Sequence, residues 1–159
     1  GTDVVMLVRK GNPKGLHTLA DLGKGEVSLG TTDPKASTLG DLSWQLLEKA
    51  GVASKIKDND SWEVTTPTAH ELILQMEAHP KLDVTLVYLA NCQNLTKDKF
   101  ETIAIADPLA KATQNIAISK NSKFPQLTAR LIEAITSTTS RERFLNAGFY
   151  WKVPGSSGN

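Results

Sequence analysis

Three stretches of this chain carry residue types that could present hydrogen-bond donors to an anion. The first is Lys35-Ala36-Ser37-Thr38-Leu39-Gly40, where two hydroxyl residues precede the first apolar residue of a helical pattern. A helix start leaves backbone N–H groups without internal partners and aims them outward, which suits an oxyanion. The second is Thr65-Thr66-Pro67-Thr68-Ala69, another hydroxyl-rich helix start with free amides expected near Thr68 and Ala69. The third is Tyr88, at the end of an apolar strand. A phenol there donates one hydrogen bond without adding charge, and ligands of open α/β sheets sit at the carboxyl ends of strands. Each feature also has a plainer role. Ser37 or Thr38 can simply cap a helix, worth about 1 kcal/mol, and Tyr88 can be a core tyrosine with its hydroxyl at the surface. Capping and binding are compatible, because a cap side chain can rotate away when a ligand arrives.

Other chemistry finds little support. His17, His70 and His79 have no zinc-ligand spacing, and His70 and His79 are nine residues apart. Asp58-Asn59-Asp60 lacks the glycine and distal glutamate of a calcium loop and reads as a turn. No nucleophile elbow, phosphate-cradling loop or dinucleotide fingerprint occurs. Gly11 and Gly15 flank Pro13 and Lys14, which is turn chemistry. Cys92 is the one cysteine and has no neighbouring base, so it reads as a small apolar filler rather than a nucleophile. Asn94-Leu95-Thr96 matches a glycosylation tripeptide, a pattern that arises often by chance. No enzyme, metal or cofactor is expected.

The elements that must position these residues alternate between strand and helix, the pattern of an α/β fold. Strands are expected over 4–10, 26–30, 62–65, 83–88, 100–106 and 115–119. A helix after Ser37 places Leu39, Leu42, Leu46, Leu47 and Ala50 on one face and stops at Gly51. Pro67 suits the first position of a helix carrying Ala69, Leu72, Ile73 and Met76. Ser122 and Pro125 open a helix with Leu127, Leu131, Ile132 and Ile135, and Ser140 opens a last one ending at Gly148.

The 159 residues are 40% apolar, enough for one ordinary core. Net charge is +1 with acids and bases interspersed, which argues against nucleic-acid binding. A single cysteine allows no internal disulfide, and no apolar run reaches membrane-spanning length. Gly1 is not an initiator methionine, so the chain reads as processed or excised from something longer. The tail Pro154-Gly155-Ser156-Ser157-Gly158-Asn159 has linker composition and is expected to be disordered.

The succession from Val4-Val5-Met6-Leu7-Val8 through Asp33-Pro34-Lys35-Ala36-Ser37-Thr38-Leu39-Gly40 and Glu48-Lys49-Ala50-Gly51 to the closing Phe144-Leu145-Asn146-Ala147-Gly148-Phe149 resembles the molybdate-type periplasmic solute-binding proteins of ABC importers. Thr38-Leu39-Gly40 stands where that family commonly has Pro-Ala-Gly. The resemblance covers about residues 4–152 and implies a periplasmic-binding-protein-like lobe, a mixed sheet flanked by helices, with a partial second lobe. It implies a complete lobe over residues 13–108. Residues 1–12 and 109–153 would be hinge strands, near Arg9-Lys10 and Ala117-Ile118, and a remnant of the other lobe. It further implies that the amides of Leu39 and Ala69 and the hydroxyl of Tyr88, with Ser37, Thr38 and Thr68 around them, hold a small oxyanion such as molybdate or tungstate. A membrane ABC permease would be the partner and the periplasm or cell exterior the location, with a membrane anchor upstream as one form. A ligand-sensing domain of a transcriptional regulator is the alternative. Because the first lobe would precede Gly1, the apolar faces near Leu127, Phe144 and Trp151 are expected to be bare and the chain to self-associate.

Overall fold

The computed structural model describes residues 1–58, 61–93, 95 and 98–151, apart from the side chain of Glu63. The Asp58-Asn59-Asp60 turn and the Asn94-Leu95-Thr96 tripeptide lie partly outside the described residues, and the tail 154–159 lies wholly outside them.

Strand β1 (Thr2–Arg9) carries the uninterrupted apolar run Val4-Val5-Met6-Leu7-Val8, and burial on both faces explains why. Val4, Met6 and Val8 join one core cluster, while Val5 and Leu7 join the other. β2 (Leu29–Thr32), β3 (Trp62–Thr66), β4 (Val84–Tyr88) and β5 (Phe100–Ala104) complete a sheet of order β3-β2-β4-β1-β5. A two-residue strand, β6 (Lys111–Ala112), pairs with the start of β1. β2 runs parallel to β3 and β4, whereas β1 is antiparallel to β4, β5 and β6, so the sheet is mixed.

Helices cover both faces. α1 (Thr38–Lys49) buries Leu39, Trp44, Leu46 and Leu47, and α2 (Ala53–Asp58) adds Ile56 to the same layer. α3 (Ala69–Ala78) buries Leu72, Ile73 and Met76 on the opposite face. This α/β architecture, a mixed sheet flanked by helices, is the fold class expected from sequence. α4 (Pro125–Thr136) and α5 (Thr138–Asn146) stand apart: neither has a buried residue.

Several local expectations are corrected. Residues 26–28 precede β2 rather than open it. The Ser28 amide is taken by the Asp83 carboxylate and its carbonyl by the Asp83 and Val84 amides, so the ladder begins at Leu29. Pro67 lies outside α3, because Thr68 caps that helix and accepts the Glu71 amide. α5 begins at Thr138, with Ser137 accepting the Ser140 amide. Residues 115–119 form no strand despite their alternation: β1 already has β4 and β5 on either side, and no described strand runs beside the segment. Ile116 and Ile118 are therefore exposed.

Residues 2–9 are an inner strand of the sheet, hydrogen-bonded along both edges to strands of the 13–108 region. Arg9 lies at the sheet end remote from Tyr88 and donates to the carbonyls of Met76 (3.0 Å) and His79 (2.6 Å). It ties β1 to the end of α3. The crossing between this sheet and the C-terminal helices lies at Gly1–Asp3 and Lys111–Thr113. There Tyr150 exchanges backbone bonds with Gly1 (2.9 and 2.8 Å), and its hydroxyl donates to the Ala112 carbonyl (3.2 Å).

Candidate functional site

Because β2 and β3 run parallel and each leads into a helix, the starts of α1 and α3 fall at the same end of the sheet. Thr32 and Thr66 are paired at that end, and the register of β2 and β4 brings Tyr88 to it as well. Here lies an open cavity of about 700 Å³, within the usual range for ligand sites.

At the α1 start, Asp33 organises the turn. Its carboxylate accepts the Lys35 amide (2.8 Å), and its carbonyl accepts those of Ala36 (3.2 Å) and Ser37 (2.9 Å). Ser37 then caps the helix, but loosely: the Gly40 amide donates to its hydroxyl over 3.4 Å. The amides of Thr38 and Leu39, in the first turn, have no carbonyl within the helix to receive them. Gly40 allows this turn to approach β2, since a Cβ there would collide with the carbonyl oxygen of Thr32 and stand 2.6 Å from the Asp33 carbonyl group. The α3 start is built differently. Thr68 Oγ1 accepts the Glu71 amide (3.2 Å) and donates to the Glu71 carboxylate (3.1 Å), leaving the Ala69 amide at the open end of the helix.

Ser37, Thr38, Leu39, Thr68, Ala69 and Tyr88 all line this one cavity. Residues from three distant parts of the sequence thus share a wall that their local patterns could not reveal. Burial pushes the Tyr88 phenol above its ordinary pKa, so its hydroxyl remains a neutral donor. Sequence reasoning missed further lining residues. Asp41 and Gln45 lie three and seven residues after Thr38 and share its helix face, a signal readable from the helical period. Asn91, Thr113 and Gln114 carried no such signal, since only the return of the chain beside β1 brings 113–114 here.

Among the described lining residues Asp41 carries the one formal charge. The remaining polarity comes from amides, hydroxyls and carboxamides. His17, His70 and His79 are exposed and outside the lining. Among the described residues no group of histidine, cysteine and carboxylate side chains is placed to hold a metal. Cys92, half-buried, donates weakly to the Tyr88 carbonyl (3.7 Å), and burial pushes its thiol up to about 11. That makes it a poor nucleophile.

A profile of bacterial extracellular solute-binding proteins matches residues 1–150. The chain belongs to that family.

Other solute-binding relatives sharpen the comparison. A stretch of 57 residues is 46% identical to the sulfate-binding proteins of Escherichia coli and Salmonella typhimurium, covering 36% of this chain and 17% of theirs. Among solved structures, Peb3 from Campylobacter jejuni aligns with a TM-score of 0.66 at 16% identity, over 95% of this solute-binding chain and 66% of Peb3. The L-phospholactate-bound form gives 0.69 over the same shares. The substrate-binding domain of a putative molybdenum ABC transporter from Clostridium difficile gives 0.68 at 16% identity, over 95% and 64%. At such identities the likeness establishes the fold. The chain spans about two thirds of these structures and a much smaller part of the sulfate-binding proteins. Among the described residues no helix is long and apolar enough to cross a membrane.

Proposed function

We propose that this chain is the larger part of the extracytoplasmic solute-binding component of an ABC importer, capturing a small oxyanion of the molybdate, tungstate, sulfate or phosphate type. The observation that carries this reading is the meeting of two helix starts and a neutral phenol on one cavity. Ser37, Thr38, Leu39, Thr68, Ala69 and Tyr88 are the proposed site. The Thr38, Leu39 and Ala69 amides act as fixed dipoles, Ser37 and Tyr88 contribute hydroxyls, and Thr68, whose hydroxyl proton is given to Glu71, shapes the α3 start. Such a wall stabilises an anion by preorganised donors rather than by a lysine or arginine. The sulfate-binding relatives and the molybdenum-transporter neighbour are consistent with this class of ligand.

The protein performs no chemistry on its cargo. In this reading residues 1–112 form one lobe and 113–151 part of another, joined at the β1–β6 pair. A ligand closes the lobes over the cavity, and the closed form is presented to a membrane permease outside the cytoplasm. One lobe offers only half of the donors, so tight binding requires the full-length protein.

Calorimetry of the full-length protein against molybdate, tungstate, sulfate and phosphate tests the proposal. One of them should bind, and Tyr88→Phe should weaken it by roughly 1–3 kcal/mol, as for a lost hydrogen bond to a charged group. Failure of these four and of phosphate monoesters to bind refutes the oxyanion reading, and an unchanged affinity in Tyr88→Phe removes Tyr88 from the site.

A further inference from the structure

Resting on the oxyanion reading above, we propose that Asp41 makes the site selective for an oxyanion joined to a short carbon unit that bears a hydroxyl or ammonium donor, and that it disfavours bare dianions. Three observations converge on this. Thr38, Asp41, Leu42 and Gln45 all line the cavity, at the spacing of one helix face. At about 1.5 Å of rise per residue, that face extends the cavity roughly 10 Å along α1 from the helix start. A tetrahedral anion held at the amides of residues 38 and 39 leaves the far part of this wall uncovered.

Beyond the first two amides, from Asp41 in the first turn onward, the character of the wall is different. Where the helix start offers donors, Asp41 offers acceptors and Leu42 an aliphatic surface. Gln45 Nε2 donates to Asp41 Oδ2 at 2.8 Å, which orients the carboxylate and leaves its other lone pairs open. No cation is ion-paired with Asp41 among the described residues. An ionised carboxylate accepts hydrogen bonds and donates none. Facing a hydroxyl or ammonium group it forms a charge-assisted bond; facing a second acceptor-only dianion it repels. Selectivity then arises from a wall that rewards one ligand and penalises the other. An acid early in a helix also favours the helix dipole, but that role would not depend on which ligand is present.

The test is calorimetry on the full-length protein with sn-glycerol 3-phosphate, propyl phosphate and sulfate. The first two share a phosphate and a three-carbon chain and differ in hydroxyls. Glycerol phosphate should bind at least about tenfold more tightly than propyl phosphate, the scale of one hydrogen bond to a charged group. Asp41→Asn should weaken glycerol phosphate by about the same factor while strengthening propyl phosphate and sulfate a few-fold, because repulsion is relieved. Gln45→Leu, which releases the carboxylate without removing it, should reduce the same preference by a smaller factor. It supplies the answer if Asp41→Asn fails to fold. Equal affinities for the two esters in the parent protein, or shifts of one sign for all three ligands in Asp41→Asn, overturn the proposal and leave the oxyanion reading standing. If none of the three ligands, nor any of the inorganic anions above, binds the parent protein, the oxyanion reading falls and this proposal with it.

Discussion

Residues 2–112 and residues 113–151 are both rich in helix or strand signals, yet only the first region buries what it forms. β1 and β4 lie almost wholly within the core, and α1 and α3 each set an apolar face against them. α4 is as amphipathic in sequence as either helix, but Phe124, Leu127 and Leu131 remain 69%, 66% and 56% exposed. Within the second region Phe144 meets Phe149 edge-on at 5.7 Å and Trp151 at 5.4 Å, and the Ser137 and Ser140 hydroxyls donate to the Ala134 carbonyl at the α4–α5 corner. The contrast separates two causes of a helix. Pro125 at the first turn and the Ser137 cap define ends locally. Most of a helix's stability nevertheless comes from covering its apolar face.

The comparison can be tested most sharply by core truncation. Leu47 is fully buried, so Leu47→Ala should cost about 2–5 kcal/mol in urea unfolding. Leu131→Ala, on the bare face of α4, should change the stability of this chain by less than about 0.5 kcal/mol. A large loss at Leu131 would mean that α4 is covered in solution. Gly40→Ala comes next. It forces the first turn of α1 away from Thr32 and Asp33, and should cost roughly 1–3 kcal/mol. A neutral effect would show that the helix start is free to shift, against the rigid cavity wall described above.

The bare face should also act between molecules. Dilute samples of this chain should show dimers or larger species by light scattering, because Ile116, Phe124, Leu127, Leu131 and Leu145 are all exposed in one region. Leu127→Lys with Leu131→Lys should reduce association without weakening the fold. A strictly monomeric parent chain would show that residues 113–151 are covered from within.

The smallest effect concerns acid. The Lys24 ammonium, 2.6 Å away, and the His17 and Thr18 amides hold the Asp21 carboxyl well below its ordinary 3.8. A carboxylate depressed in the folded state stabilises above its unfolded pKa and loses that contribution as pH falls through the folded value. Melting temperature should therefore drop below about pH 4, and Asp21→Asn should flatten that part of the profile. Because Lys24 and the turn are exposed, salt should shrink the difference. An identical acid profile for Asp21→Asn would assign the transition to other carboxylates.

Local chemistry was the part of this protein legible in its sequence. The apolar run of β1, the face of α1 and the hydroxyls before each helix were all readable, since each depends on neighbours within a turn or a strand. The same dependence explains the misreadings. Alternation at 115–119 predicted a strand, but a strand exists only where another chain segment completes its hydrogen bonds, and no described strand pairs with this one. Pro67 fitted a first helical position, yet Thr68 takes the orphan Glu71 amide, is held by the Glu71 carboxylate, and starts the helix there.

The candidate site divides along the same line. Sequence by itself determined which residues could offer donors, because a helix start leaves its amides free wherever it occurs. That Ser37, Thr68 and Tyr88 face one cavity was decided by the parallel pairing of β2 with β3 and β4, a contact between segments dozens of residues apart. Tertiary structure alone also placed Thr113 and Gln114 on that wall, whereas Asp41 follows Thr38 there by the helical period. Donor chemistry is a property of a few consecutive residues, whereas convergence is a property of strand order, which no local pattern encodes.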